Sequence, residues 1–167
     1  MAKYVFGVDI GGTTVKIGLF TAEGTMVDKW EITTRTDEGG KYILGDIAAS
    51  IEDKLAEKQI DKSEVKGIGM GVPGPVKADG TVLRCVNLGW GIFNAADELS
   101  KIIGLPVKVG NDANMAALGE NVAGRWKRLQ QHRYGNTWNR CWRWYHLRRK
   151  DVFRCEWCWR VRSDIFR

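Results

Sequence analysis

Two apolar runs open the chain, and a glycine pair, Gly11-Gly12, separates them. The first run, over residues 5–10, is rich in β-branched residues, and the second, which ends at Phe20, alternates apolar positions with others. Together they predict a β-hairpin with the glycine pair at its turn. A third alternating run, from Met26 to Thr33, predicts another strand after the hairpin.

Beyond the third strand the period of the apolar positions changes. From about residue 41 to 60 the spacing is helical, since Ile47, Ile51 and Leu55 would share one face. The rest of the pattern predicts, in chain order, a glycine-containing strand over 65–72, a short strand over 81–86, a helix capped by Asn94 and ended by Gly104, a strand over 106–109 and a further helix from about Met115.

The predicted order of elements is β-β-β-α-β-α-β-α, which indicates the α/β class. A three-stranded meander that feeds right-handed crossovers gives a mixed sheet with helices on its faces. Ligands of such sheets bind beyond the carboxyl ends of the strands. Asp9, the segment 71–74 and Asn111-Asp112 all lie at predicted strand ends, so we expect them to meet at one edge.

Composition divides the chain near residue 121. Residues 1–121 carry 13 Lys or Arg and 17 Asp or Glu, whereas residues 122–167 carry 13 basic and 3 acidic residues, so the net charges are −4 and +10. The second part also holds six of the eight Trp but two of the 20 Gly. We therefore expect one domain over 1–121 and an atypical basic tail, rich in Trp and Arg, over 122–167.

The expected compartment is the cytoplasm, without a membrane partner. No signal peptide precedes the first predicted strand, and no apolar run approaches the length that spans a membrane. Cys85 is the single cysteine of residues 1–121, which is typical of a reducing compartment.

The turn of the predicted hairpin carries candidate phosphate-binding chemistry in the string D-I-G-G-T-T-x-K. Glycines let a ligand approach the backbone, whose amides can form an anion-binding concavity, and a carboxylate can hold Mg²⁺ directly or through water. The alternative is an ordinary tight turn, with glycines for positive φ, a surface aspartate and a lysine that points to solvent. The candidate residues are Asp9, Gly11, Gly12, Thr13, Thr14 and Lys16.

A second string, N-D-A-N at residues 111–114, follows the last predicted strand. By itself it also fits a strand-to-helix turn in which Asn111 or Asp112 caps the helix. Together with D-I-G-G-T-T-x-K and the following A-A-L-G-E, it resembles the ROK sugar kinases, and their glucokinase branch in particular. These kinases belong to the actin-like ATPase superfamily, whose lobes have a ribonuclease H-like fold, and the resemblance extends over residues 1–121.

The resemblance implies an N-terminal kinase lobe that transfers phosphate from ATP, with Mg²⁺, to a hexose hydroxyl, with glucose as the first candidate. It assigns Asp112 as the catalytic base, the residues of D-I-G-G-T-T-x-K to ATP, and Asp9 to Mg²⁺. Sugar contacts are implied for Gly74, Asn87, Asn111 and Asp112. Val86 precedes N-L-G-W where relatives often carry proline, and Trp90 fits either sugar stacking or the core. Intact relatives are expected to be homo-oligomers, and Thr33 and Thr34 are weaker candidates for the sugar pocket.

The tail after residue 121 has neither helical nor strand periodicity. Its Arg and aromatic residues resemble a nucleic-acid-binding arm, and Cys155-x-x-Cys158 suggests zinc, although the cysteine and histidine spacings fit no common finger. A third interpretation starts from the genetic code, since Trp is encoded only by TGG and glycine codons read out of frame therefore yield Trp. Shifted frames permit T-L-G-T-G-V-G-G-G-I for residues 136–145 and G-E-I-G-H-I for residues 161–166. Both strings resemble later ROK segments, so we expect a frameshift from about residue 122.

A frameshifted tail would leave the chain without a second lobe, a second phosphate loop, the sugar-binding G-E-x-G-H segment and the family zinc site. We therefore expect little or no kinase activity from the chain as it stands. Two alternatives remain. One is a sugar-responsive ROK regulator without its DNA-binding part, which is disfavoured because the first predicted strand begins by Tyr4. The other is a basic protein that binds nucleic acid through the tail.

Overall fold

The computed structural model describes residues 2–115, whose central feature is a five-stranded mixed sheet. The strands of this part are β1 (Tyr4–Ile10), β2 (Thr14–Thr21), β3 (Met26–Thr33), β4 (Val65–Val72), β5 (Thr81–Val82), β6 (Phe93–Asn94) and β7 (Val107–Asn111). Its helices are α1 (Asp37–Gly40), α2 (Ile43–Glu57) and α3 (Ala95–Ile103), with 3-10 turns at Lys62–Glu64 and Val86–Leu88.

The sheet has the strand order β3-β2-β1-β4-β7. The first three strands form an antiparallel meander, and β1, β4 and β7 run parallel to one another. Strands β5 and β6 pair separately as a small antiparallel ribbon. The α/β class and the mixed sheet predicted from the apolar pattern are therefore confirmed.

One face of the sheet forms the main core together with α2 and α3. Alternate residues of the three central strands, such as Phe6, Ile17 and Met70, are fully buried in one cluster with Ile51 of α2 and Leu99 of α3. Burying an aliphatic or aromatic side chain of this size contributes about 1.5–3 kcal/mol relative to exposure. The parallel strands are thus held at fixed positions, which also fixes their carboxyl ends.

Several predicted boundaries hold, and others need correction. The strands 26–33 and 65–72 are confirmed. Asn94 caps α3 by accepting the Asp97 amide at 3.0 Å, and Gly104, with a φ of 71°, ends the helix as predicted. The long helix is shorter than predicted because Gln59 takes a φ of 55° and stops it. The predicted strand 81–86 was too long, since the chain turns into a 3-10 turn at Val86.

The last predicted strand and helix also differ from expectation. Strand β7 extends to Asn111, and helical residues begin at Asp112, three positions before the predicted start. Among residues 2–115 no helix has the length and apolar character needed to span a membrane. The predicted tail, including its cysteines and the proposed frameshift, lies outside the described residues.

Candidate active site

Three strand ends with predicted site residues lie side by side. In the parallel register Asp9 of β1 is opposite Gly71 of β4, and Gly71 is opposite Gly110 of β7. Because neighbouring strands lie about 4.8 Å apart, Asp9 and Gly110 are separated by about 10 Å across the sheet. Asn111 and Asp112 follow directly, so the strand ends that the sequence singled out do share one edge.

On one side of this edge lies the hairpin turn, which we call the phosphate-loop side (residues 9–16). The Gly11 amide donates to the Thr14 carbonyl at 3.0 Å and closes the turn. A Cβ atom at residue 11 would lie 2.9 Å from the same carbonyl oxygen, so only glycine fits there. A Cβ atom at Gly12 would meet nothing within 4 Å, and neither glycine is among the residues with positive φ. An ordinary turn that needs glycine for positive φ therefore does not describe this segment.

Charged side chains flank the turn on one face of the sheet. Asp9 and Lys16 are directly opposite each other in the β1–β2 register, and both are half-buried. Lys16 is also opposite Glu31 of β3. Side chains at opposite positions of antiparallel strands lie on the same face with Cβ atoms about 4.5–5.5 Å apart. The side chains of Lys16 and Asp9 are therefore neighbours on the same face of the sheet, beside the turn.

Asp9 is the candidate residue whose carboxylate could hold Mg²⁺ beside the turn. Among residues 2–115 no group of three or more His, Cys, Asp or Glu side chains could hold a metal ion. Mg²⁺ in phosphoryl-transfer sites is usually bound by one or two carboxylates, with phosphates and water as the other ligands. Asp9 supplies one such carboxylate beside the turn.

The other side of the edge, which we call the aspartate side, is formed by residues 73–75, 85–90 and 111–112. Gly74 is buried in the Pro-Gly-Pro turn, and a Cβ atom there would lie 2.6 Å from the Arg84 carbonyl oxygen. The side-chain amide of Asn111 donates to the Gly74 carbonyl at 2.9 Å. This bond connects the end of β7 to the turn that follows β4.

Asp112 is the first helical residue after β7 and is half-buried. The Asn111 side-chain oxygen accepts the Asn114 amide at 3.2 Å, so Asn111 caps the helix, and the Ala113 amide donates to Asp112 Oδ1 at 2.7 Å. Burial raises the pKa of the Cys85 thiol, the Leu88 amide lowers it, and the Asp112 carboxylate raises it again. The negative charge of Asp112 thus acts on the pKa of the thiol in the same direction as burial.

Asn87 lies at the surface of that loop, beside an exposed Val86. Trp90, the last residue of this loop, is 5% exposed and donates its indole N–H to the Gly40 carbonyl at 3.0 Å. This bond anchors the loop to the segment around Gly40. Of the two interpretations of Trp90, the structure supports the core residue and not the sugar-stacking one. Asn87 nevertheless has a fixed position because its loop is anchored.

Sequence reasoning missed two contacts that organise the site. Thr34 donates its hydroxyl to the Gly11 carbonyl at 2.8 Å, and its amide donates to the Thr13 carbonyl at 2.9 Å. The contact between Asn111 and Gly74 was missed as well. Neither has a local sequence signal, because the partners are 23 and 37 residues apart in the chain.

A family model described as the ROK family matches residues 5–133. The chain belongs to the ROK family. It is 44% identical over 119 residues to a glucokinase from Halalkalibacterium halodurans, a match that covers 71% of this chain and 36% of the relative. It is 31% identical over 123 residues to a putative xylose repressor from Caldicellulosiruptor, covering 73% of this chain and 31% of that protein.

Solved ROK structures share the fold of the described residues. A ROK family glucokinase from Streptomyces griseus, crystallised with glucose and AMPPNP, superposes with a TM-score of 0.62 at 34% identity. That match covers 72% of this chain and 37% of the glucokinase. The ROK chain described here therefore spans about a third of the length of the relatives that it matches. Its fold is that of an actin-like ATPase lobe.

Proposed function

We propose that this ROK chain is the N-terminal lobe of an ATP-dependent hexose kinase, with glucose as the first substrate to test. The observation that carries the proposal is the shared sheet edge. A glycine-threonine turn lies at the end of β1, and a half-buried aspartate lies just beyond the end of β7. Phosphoryl transfer needs little beyond positioning and charge neutralisation, which such an edge can provide.

Asp112 is the proposed catalytic base. A sugar hydroxyl is a poor nucleophile, and a carboxylate within hydrogen-bond reach can orient it and accept its proton as it attacks the γ-phosphoryl group. The Asn111 cap and the Ala113 amide fix the start of the helix on which this carboxylate lies. The base is therefore placed before the substrate arrives, which lowers the entropic cost of the reaction.

The phosphate-loop side is the proposed ATP-binding element. The open surface over Gly12 leaves room for a phosphate against the backbone, and the hydroxyls of Thr13 and Thr14 add donors. Asp9 would hold the Mg²⁺ that accompanies ATP, and the ion would neutralise charge on the phosphates. Lys16, the cross-strand neighbour of Asp9, would add positive charge beside the bound phosphates.

The proposed sugar contacts lie on the aspartate side, at Gly74, Asn87 and Asn111. An asparagine amide has two N–H donors, so Asn111 can hold the Gly74 carbonyl with one and offer the other to a sugar hydroxyl. The exposed Asn87 lies on the anchored loop next to it. An amide that is already held in place can donate to and accept from sugar hydroxyls with little further loss of side-chain entropy.

We also propose that the N-terminal lobe ends at residue 121 and that the tail, residues 122–167, is out of frame. The support is the abrupt change from net charge −4 to +10 and the shifted-frame strings described above. Resequencing the gene across codons 115–167 tests this proposal. The shift could be a real lesion or a sequence-determination error, and a nucleotide sequence whose shifted frames do not encode these ROK strings would overturn both.

Two activity measurements test the kinase proposal. The 167-residue chain should show little or no glucose 6-phosphate formation in a coupled assay with Mg-ATP and glucose, and ordinary turnover would contradict this. A chimera should be active if it joins residues 1–121 to the remaining part of the Halalkalibacterium halodurans glucokinase. A folded but inactive chimera, measured beside the active parent enzyme, would overturn the kinase proposal.

A sugar-responsive regulator is the second candidate, and the similarity to a putative xylose repressor favours it. A regulator lobe would bind sugar without transferring phosphate. In the chimera, glucose binding by calorimetry without formation of a sugar phosphate would support the regulator. Binding accompanied by product formation would support the kinase.

A further inference from the structure

Thr34 lies just after β3 and is 7% exposed, which makes it the buried polar side chain of residues 2–115. Its hydroxyl donates to the Gly11 carbonyl and its amide to the Thr13 carbonyl, at 2.8 and 2.9 Å. A buried hydroxyl must find a partner wherever it lies. Here both bonds end on the same four-residue turn, at carbonyls two residues apart.

These bonds determine the direction of backbone amides in the turn. In a trans peptide the C=O and N–H groups point in opposite directions. A Gly11 carbonyl directed at Thr34 therefore directs the Gly12 N–H away from Thr34, and Gly12 itself is exposed, with nothing within 4 Å of a Cβ atom placed on it. The hydroxyl thus constrains the orientation of the Gly11–Gly12 peptide at an exposed position of the turn.

We propose that Thr34 is a positioning residue that holds the Gly11–Gly12 peptide in the orientation that binds a nucleotide phosphate. This inference rests on the proposed ATP-binding role of the turn, but the positioning itself is a property of the nucleotide-free chain. Gly11 is already restricted by its close approach to Thr14. Thr34 restricts the peptide that follows, at Gly12, where an added Cβ atom would meet nothing within 4 Å.

Three variants of the 167-residue chain test the proposal. Thr34→Val removes the hydroxyl at nearly constant volume, Thr34→Ser keeps it, and Thr33→Val makes the same chemical change at the exposed neighbouring position. Amide hydrogen exchange and ¹⁵N relaxation of Gly12 and Thr13, measured without nucleotide, report the order of the turn. A titration with Mg-ATP of the chimera that carries the same substitutions, followed by the amide shifts of these residues, reports phosphate binding.

We expect Thr34→Val to speed amide exchange at Gly12 and Thr13, and to raise the Kd for Mg-ATP about three- to tenfold, the effect of losing one hydrogen bond. Thr34→Ser and Thr33→Val should stay within about twofold of the native chain, since both keep the bond to Gly11. An unchanged turn in Thr34→Val, or a serine variant that behaves like the valine variant, would overturn the proposal. Thr34→Ala repeats the test should the valine variant not fold.

The two readouts separate this proposal from the proposed function. If Mg-ATP shifts no amide of the turn in the chimera, the ATP-binding role fails. The exchange data on the nucleotide-free chain still show whether Thr34 orders the turn, and an effect of the valine variant there would retain the structural half of the inference.

Discussion

The two sides of the candidate site are built in different ways. The turn of the phosphate-loop side closes within four residues, through the bond from the Gly11 amide to Thr14. The aspartate side depends on contacts between residues far apart in the chain, such as Asn111 with Gly74, 37 residues away, and Trp90 with Gly40, 50 residues away. The first side closes locally and receives one distant support, from Thr34, whereas the second exists only when the whole lobe is folded.

This difference decides how each side responds to change. A short hairpin pays little loop-closure entropy, so its turn can form from nearby residues. The aspartate side needs backbone segments in close contact, and glycine makes this possible at Gly40, where a Cβ atom would lie 2.3 Å from the Leu88 carbonyl oxygen. We expect substitutions on the aspartate side to affect both folding and chemistry, and those in the turn to affect ligand binding first.

The largest expected effect is that of Asp112→Asn in the active chimera. Loss of a general base typically lowers turnover about 10²- to 10⁴-fold. Asparagine keeps the size of the side chain and can still accept the Ala113 amide, so the fold should persist. The coupled assay measures kcat, and thermal unfolding checks the fold.

Asp53→Asn is the matched control, because Asp53 is an exposed aspartate of α2, away from the site edge. It should leave kcat within about twofold, as surface substitutions usually change little. Equal loss of activity in both variants, or full activity in Asp112→Asn, would show that the carboxylate is not the base.

A smaller effect, on stability, is expected for Gly40→Ala. Gly40 has a φ of 68°, and an added Cβ atom would also lie 2.8 Å from Trp90 Nε1. Left-handed backbone strain and overpacking together should lower the free energy of unfolding by about 2–4 kcal/mol. Urea unfolding followed by Trp fluorescence measures the change.

Gly45→Ala is the control for that substitution. Gly45 is exposed within α2, and a Cβ atom there would meet nothing within 4 Å. Alanine should stabilise the helix by about 0.5–1 kcal/mol because glycine is a poor helix former. If both alanine variants had the same stability, Gly40 would not be in close contact with the 85–90 loop in solution.

The same division between local and distant contacts explains what the sequence could predict. Strand Met26–Thr33 and the Asn94 cap follow from patterns within a few residues, and both are confirmed. The end of the strand predicted over 81–86 depends instead on Cys85 pairing with Trp90, which no local pattern reveals. In the site, the string around Gly11 was visible in the sequence, whereas the role of Thr34 requires knowing where β3 ends in space.

The two glycines of the turn should differ in a way that sharpens the comparison. Gly11→Ala places a Cβ atom 2.9 Å from the Thr14 carbonyl oxygen and should lower the free energy of unfolding by about 1–2 kcal/mol. Gly12→Ala meets no neighbour and should leave stability within about 1 kcal/mol, while weakening Mg-ATP binding. Urea unfolding and the Mg-ATP titration measure the two effects. Equal destabilisation by both substitutions would mean that the open surface over Gly12 is not present in solution.

The smallest expected effect is a shift in the pKa of the Cys85 thiol. It tests whether the Asp112 carboxylate lies near the 85–90 loop. Burial, with the Asp112 carboxylate as a further cause, raises the pKa of the thiol above its ordinary value. Its contribution to stability is therefore fully present below the pKa of the unfolded thiol and is lost as the pH rises through the folded one. Thiolate absorbance, taken as the difference from Cys85→Ala to remove the other cysteines, should show a midpoint that moves to lower pH in Asp112→Asn, because a nearby negative charge has been removed. The same midpoint in both backgrounds would place Asp112 too far from the 85–90 loop for the two to face one ligand.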